Sequence, residues 1–168
     1  AKQSTMFKDK DIHLVLEGIN MDIFFYKNKL NELRKKFGIN EDDFVILFGA
    51  TSIGEKRKGV KYFIEAIEIL HNELKVDNIT IVSIGRGDLK ELLQDISYKI
   101  LNLGYISGYN NLADVYNLSN VFVTTTIQDS GPMMVNQSIA CGTPVVCFDH
   151  GVAKSVVLNG KTGYKSEM

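Results

Sequence analysis

An α/β fold is predicted, a parallel sheet of about five to six strands with helices on both faces, and three observations predict it. Short β-branched and apolar runs at 44–50, 79–85, 100–106, 120–126 and 145–148 alternate with helix-like stretches, the order that builds a parallel sheet. The run 120–126 (NVFVTTT) is β-branched and apolar, which suits a strand covered on both faces. Each run ends in a Gly-rich, charged or turn-forming segment, and the carboxyl ends of strands are where open sheets bind ligands. The expectation is a Rossmann-like domain.

The elements follow in chain order. Residues 1–10 are polar and read as a linker or an added segment, and residues 12–16 (IHLVL) as a short apolar strand. Gly18, Ile19, Asn20, Phe24 and Phe25 then read as a loop with two buried aromatics. The spacing of Leu30, Leu33 and Phe37 predicts an amphipathic helix over 27–37, stopped by Gly38, with Arg34, Lys35 and Lys36 as its solvated basic last turn. Residues 1–40 are thus read as a linker or hinge remnant with one helix, and 41–168 as the domain proper. Within the domain, Phe63, Ile67 and Leu70 give helical spacing to 60–74, and helices are expected up to Leu93 and over 112–118. After the strand 120–126 comes turn chemistry at 128–131, then Pro132 at a first helical position, where its fixed φ fits and its missing N–H costs nothing. Gly142 ends that helix, a strand follows Pro144, a short helix covers 152–157, and a last strand begins near Gly163. No internal repeat or low-complexity segment interrupts this order.

Composition excludes several function classes. The 168 residues carry a net charge of −1, which gives no electrostatic case for nucleic acid or an anionic membrane surface. At 45% hydrophobic residues the chain can bury a proper core. Cys141 and Cys147 lack C-x-x-C spacing and read as core thiols of a reducing, cytoplasmic compartment. No run approaches the roughly 20 apolar residues of a membrane span, and no charged-then-apolar pattern of a signal peptide is read in residues 1–20.

The chemistry lies in the loops. In TSIGEKRKG, after the first long strand, Arg57 and Lys58 precede Gly59 at the head of a helix. Cations, free N–H groups and a positive dipole end together suit a diphosphate; an ordinary solvated loop is the competing reading. Gly85-Arg86-Gly87 is a weaker glycine signal. Ser130, Gly131, Met133 and Met134 form a loop-to-helix turn whose N–H groups suit an anion. Gln137 lies three and four residues from Met134 and Met133 and from Ala140 and Cys141, on an apolar face. Its amide therefore needs a partner, a backbone carbonyl, a water or a ligand. His13, His71 and His150 carry little, with only His150 placed to reach the site. No spacing argues for a metal or for a Ser-His-Asp or Cys-His arrangement.

The order Asp129-x7-Gln137, then SIACGTPVV and a close in NGKTGY, resembles the donor-binding, C-terminal half of the family-4 retaining glycosyltransferases of the GT-B fold (glycosyltransferase group 1). The resemblance spans most of residues 18–164. It implies transfer of a sugar, of hexosyl type, from a UDP-, GDP- or ADP-sugar to a glycan, lipid or polysaccharide precursor with retained configuration. No tightly bound cofactor and no metal are implied. By this likeness Lys58 contacts the donor phosphates, the backbone of Leu103, Gly104, Tyr105 and Ile106 reads the base, Asp129 binds sugar hydroxyls and Gln137 the ribose. The Gly18-Ile19-Asn20 segment resembles the family's interdomain hinge.

Both acidic positions depart from the family's Glu-x7-Glu: Asp129 is a methylene shorter, and Gln137 is uncharged. Ser155 stands where many members have a third Glu. The family's arginine after the strand glycine is replaced by Ala50, with Arg57 or Arg86 as substitutes. The acceptor domain is missing and the carboxyl end is expected to be trimmed. The acceptor, and any peripheral membrane association, would come through the missing domain, and the isolated domain is expected to bind donor without transferring sugar. Two other classes stay open. One is a non-catalytic nucleotide-sugar-binding or scaffold subunit with a degenerate motif. The other is a dinucleotide-dependent oxidoreductase, which the absence of G-x-G-x-x-G after the first strand disfavours.

Overall fold

A computed structural model describes residues 5–7, 9–13, 18–129, 133–151 and 153–168. Six parallel strands form one sheet in the order β3-β2-β1-β4-β5-β6. They are β1 (Phe44–Ser52), β2 (Ile79–Arg86), β3 (Lys99–Asn102), β4 (Val121–Thr124), β5 (Val145–Phe148) and β6 (Gly163–Ser166). The helices are α1 (Leu30–Lys36), α2 (Val60–Glu68), α3 (Leu89–Leu92), α4 (Tyr109–Leu118), α5 (Met133–Ala140) and α6 (Ala153–Val156). The doubly wound α/β expectation is met, including the last strand after Thr162.

Side-chain alternation along the strands feeds two cores. Val45 and Leu47 of β1 and Val82 and Ile84 of β2 face a core built with α1, α4, α5 and α6. Ile46, Phe48, Ile79 and Ile81 face the other, with Phe63 and Ile67 of α2 and Leu89 of α3. Both sides of β1 and β2 are thereby covered. On the second face, toward β5 and β6, an apolar trough of about 620 Å³ runs between α2 and the sheet, lined in part by Val121, Val123, Val146 and Tyr164.

Several boundaries differ from expectation. The third run does not continue as strand to Ile106: β3 ends at Asn102, Leu103 N–H and Gly104 O still bond to Ser83 and Gly85 of β2, and Gly104 at φ +64 then turns the chain out. α2 does not run regularly to Leu74: from Ile69 the turn widens, with Leu74 N–H donating to Ile69 O. Arg34 is not part of a solvated basic face. Its side chain is 2% exposed and donates to Leu118 O, Glu41 O and Asn120 Oδ1. Asn120 Oδ1 also accepts from Val45 N–H, so one buried guanidinium ties α1 to the start of β1 and the end of α4. Phe24, Leu33 and Ile39 join the same core, whereas Phe25, expected to be buried, is 43% exposed with the Lys27 ammonium over its ring. The predicted strand over 12–16 falls largely on residues 14–17, and Pro132 and Val152 likewise lie outside the described residues.

Candidate functional site

The chain winds from β1 through β2 to β3 on one side, then returns to lay β4, β5 and β6 on the other. Beside β1 and β4, at their carboxyl ends, is the switch point where open α/β sheets leave a crevice.

Two close approaches shape this crevice. After β1 the chain makes a single tight turn, Lys56–Lys58, and reaches Gly59 at φ +63. A Cβ at Gly59 would lie 2.1 Å from Thr125 O, at the exit of β4, so only glycine lets the two loops meet. They are then joined by Thr125 Oγ1 donating to Lys58 O at 3.1 Å and Ile127 N–H donating to Arg57 O at 2.9 Å. That contact carries Lys58 Nζ to 2.6 Å from Asp129 Oδ2, with side chains 12% and 17% exposed. Arg57 stands further out, 3.8 Å from the same oxygen and 2.7 Å from Glu55 Oε2.

The second approach is at Gly85, φ +115, where a Cβ would lie 1.6 Å from Ala50 O. Gly85 N–H donates to Gly104 O at 2.8 Å, which pulls the post-β3 turn against the end of β2. A cavity of about 160 Å³ opens there, lined among others by Ala50, Ile84, Gly85, Tyr105, Ile106 and Met134. Tyr105 is 77% exposed at this place. Arg86 is exposed and pairs in register with Ser52 of β1. Ile53 N–H donates to its carbonyl at 2.8 Å.

Gln137, one turn into α5, is 4% exposed. Among the described residues its amide oxygen meets a side chain: Tyr116 Oη of α4 donates to Gln137 Oε1 at 3.1 Å. The amide nitrogen faces Met133 Sδ at 3.7 Å, a weak acceptor. Tyr116 went unnoticed in the sequence, although a tyrosine inside the apolar ADVYNL run needs a partner for its hydroxyl. Burial, reinforced by the nearby Cys141, raises its phenol well above the ordinary range, so the hydroxyl stays a donor. Burial likewise pushes the Cys141 and Cys147 thiols up to about 11.

Of the predicted site residues, the fold brings Lys58, Arg57 and Asp129 into contact. It groups Tyr105, Ile106 and Met134 in one cavity with Gly104 beside it, and it places Met133 over Gln137. Ser130 and Gly131 lie outside the described residues. Ser155 is exposed on α6. His150 and Asp129 share a narrow cleft with Thr124 and Phe148. His71 bonds to Asn72 and Ser97 away from the site. Among the described residues no group of His, Cys, Asp or Glu is arranged to hold a metal ion, and no helix is long and apolar enough to cross a membrane.

A family model described as glycosyl transferases group 1 matches residues 30–167. A glycosyltransferase of Methanocaldococcus jannaschii is 27% identical over 164 residues, covering 90% of this chain and 40% of its own length. Among solved structures, the C-terminal domain of a group 1 glycosyl transferase, LpcC of Francisella tularensis, superposes with a TM-score of 0.72 at 19% identity, over 89% of this chain and 80% of that one. Anabaena HepE in complex with UDP-glucose superposes with a TM-score of 0.72 at 18% identity, over 89% of this chain and 42% of that one. The chain spans about two fifths of the length of the curated relatives it matches.

Proposed function

Given that this chain belongs to the glycosyl transferases group 1 family, we propose that it is the donor-binding, C-terminal half of a family-4 retaining glycosyltransferase. The full protein would move a sugar, of hexosyl type, from a nucleotide-diphosphate sugar to a glycan, lipid or polysaccharide precursor in the cytoplasm. The acceptor would be held by a domain outside this chain. The observation that carries the reading is the Lys58–Asp129 pair, 2.6 Å apart at the switch point. A largely buried ammonium there meets the requirement of a leaving diphosphate for fixed positive charge.

In this reading Lys58, helped by Arg57 or Arg86 and by the N–H groups of Met133 and Met134, takes the diphosphate. Asp129, relieved of Lys58 by the incoming phosphates, accepts from sugar hydroxyls. The backbone of Gly104, Tyr105 and Ile106 reads the base, and Gln137 meets the ribose. The UDP-glucose held by the Anabaena structure supports this ligand class. No metal and no tightly bound cofactor take part. A second reading, a non-catalytic nucleotide-sugar-binding subunit, draws on the uncharged and buried Gln137.

Calorimetric titration with UDP, GDP and ADP, and then with their sugar conjugates, without added metal, tests the proposal. Saturable binding of one diphosphate, weakened when the Lys58 ammonium is removed, is the expected result. Failure of all of them to bind would refute donor binding by this domain. The domain alone is expected to transfer nothing, and transfer to any acceptor would contradict that part.

A further inference from the structure

Gln137 is a two-ended group, and the fold has already spent one end. Tyr116 Oη donates to Oε1 at 3.1 Å, while among the described residues Nε2 meets the thioether of Met133, at 3.7 Å. The orientation of the amide is decided by this pair of neighbours. A thioether accepts but cannot donate, so the NH2 must face Met133 and the carbonyl must face the hydroxyl for both contacts to exist.

The tyrosine itself has little freedom. Its ring is 0% exposed and stands edge-on to Phe24 and Phe122, with centroids 6.3 and 5.9 Å away. Its carbonyl accepts from Thr143 Oγ1 at 2.7 Å, anchoring α4 to the segment that follows α5. Met133, by contrast, opens α5 at 36% exposure, and its side chain is unbranched and flexible. The NH2 end of Gln137 thus points back along α5 toward its first turn, at the carboxyl edge of the sheet, and among the described residues it meets there a movable side chain offering a poor hydrogen bond.

We infer that Tyr116 is a positioning residue for nucleotide recognition: its hydroxyl holds the Gln137 amide so that a single N–H donor faces the crevice, where a ribose hydroxyl oxygen replaces the Met133 sulfur. The inference rests on the donor-binding reading and adds to it. Gln137 meets the ribose through its NH2 end, because its acceptor end is turned into the core toward Tyr116. Its contribution is one donated hydrogen bond, with an orientation set from a different helix.

The test compares UDP with 2′,3′-dideoxyuridine diphosphate by calorimetry on the whole chain. One hydrogen bond to the ribose is worth about 2- to 12-fold in affinity, and UDP is expected to win by that margin. In Tyr116→Phe the amide is free to turn, so UDP should weaken toward the dideoxy nucleotide while the latter keeps its affinity. A merely structural role for Tyr116 would weaken both nucleotides alike, and that result, or an unchanged preference, overturns the inference. A measurement on the native chain guards against poor folding of the variant. The side-chain NH2 resonances of Gln137 should shift on addition of UDP and stay in place with the dideoxy compound, and equal response to both overturns the inference as well. UDP that binds without moving these resonances refutes only the role of Tyr116. If UDP, GDP and ADP all fail to bind, the donor-binding reading falls, and this inference with it.

Discussion

Replacing Lys58 by methionine removes one ammonium and keeps most of the stem that packs beside Gly59. In the structure that ammonium is 2.6 Å from Asp129 Oδ2, and its side chain is 12% exposed. A charge-assisted hydrogen bond to a phosphate in such a place contributes about 1.5–3 kcal/mol. The loss predicted for UDP, or for whichever diphosphate binds, is therefore roughly 10- to 150-fold in affinity. The variant also leaves the Asp129 carboxylate facing the incoming anion with its nearest opposite charge removed, which favours the upper part of that range. Arg57 supplies the internal comparison. Its side chain is 46% exposed and its contact to Asp129 is 3.8 Å, so solvent screens it and Arg57→Ala should cost no more than about 5-fold. Calorimetric titration of both variants, with circular dichroism to confirm folding, reads the ratio directly. If Lys58→Met binds diphosphate within twofold of the unaltered chain, or if Arg57→Ala costs more than Lys58→Met, the argument from burial and distance is wrong.

Three further outcomes follow from the same geometry. Gly85→Ala places a Cβ 1.6 Å from Ala50 O at φ +115, so strain and overpacking together should cost about 3–5 kcal/mol in urea unfolding; Gly54→Ala, whose Cβ would meet only Ser52 Oγ at 4.0 Å, should stay within about 0.5 kcal/mol. Burial raises the Asp43 carboxyl, but hydrogen bonds from Thr80 and Asn40 and the charge of Lys99 outweigh it, and the net pKa is lowered. A depressed carboxylate stabilises the fold above its unfolded pKa of about 3.9 and loses that contribution as pH falls through the folded value, so Asp43→Asn should flatten the acid limb of a plot of Tm against pH. With both thiols pushed up to about 11, native protein should resist alkylation at neutral pH, and the raised thiols withdraw stability as pH climbs from about 8.5, the ordinary thiol value, toward the folded one; rapid labelling of Cys141 or Cys147 before unfolding would contradict the burial.

Local pattern carried the architecture a long way. The runs at 44–50 and 79–85 announced strands of a helix-covered parallel sheet because they alternate with helical spacing, whereas the burial on both faces expected of 120–126 is only partial, with Val121 and Val123 half-buried along the trough. Lys58 and Asp129 were legible as members of loops at strand ends, since the alternation of strand and helix places all such loops on one edge of the sheet. Arg34 misled for the opposite reason. Three consecutive basic residues at a helix end look alike in sequence, and whether one of them turns inward depends on which carbonyls the neighbouring elements leave there, here those of Leu118 and Glu41.

The sequence by itself determined the order of the elements, the helix stop at Gly38 and the loops that hold the candidate chemistry, because periodicity and turn chemistry act over a few residues. Only the tertiary structure decided what each polar group meets. Asp129 takes Lys58 across 71 residues of chain, and Gln137 takes Tyr116 across 21, since both meetings depend on how β4 is laid beside β1 and how α4 packs on α5. Long-range pairings of this kind are set by strand order and by the close approaches at Gly59 and Gly85, where the absence of a side chain is what allows two segments to touch.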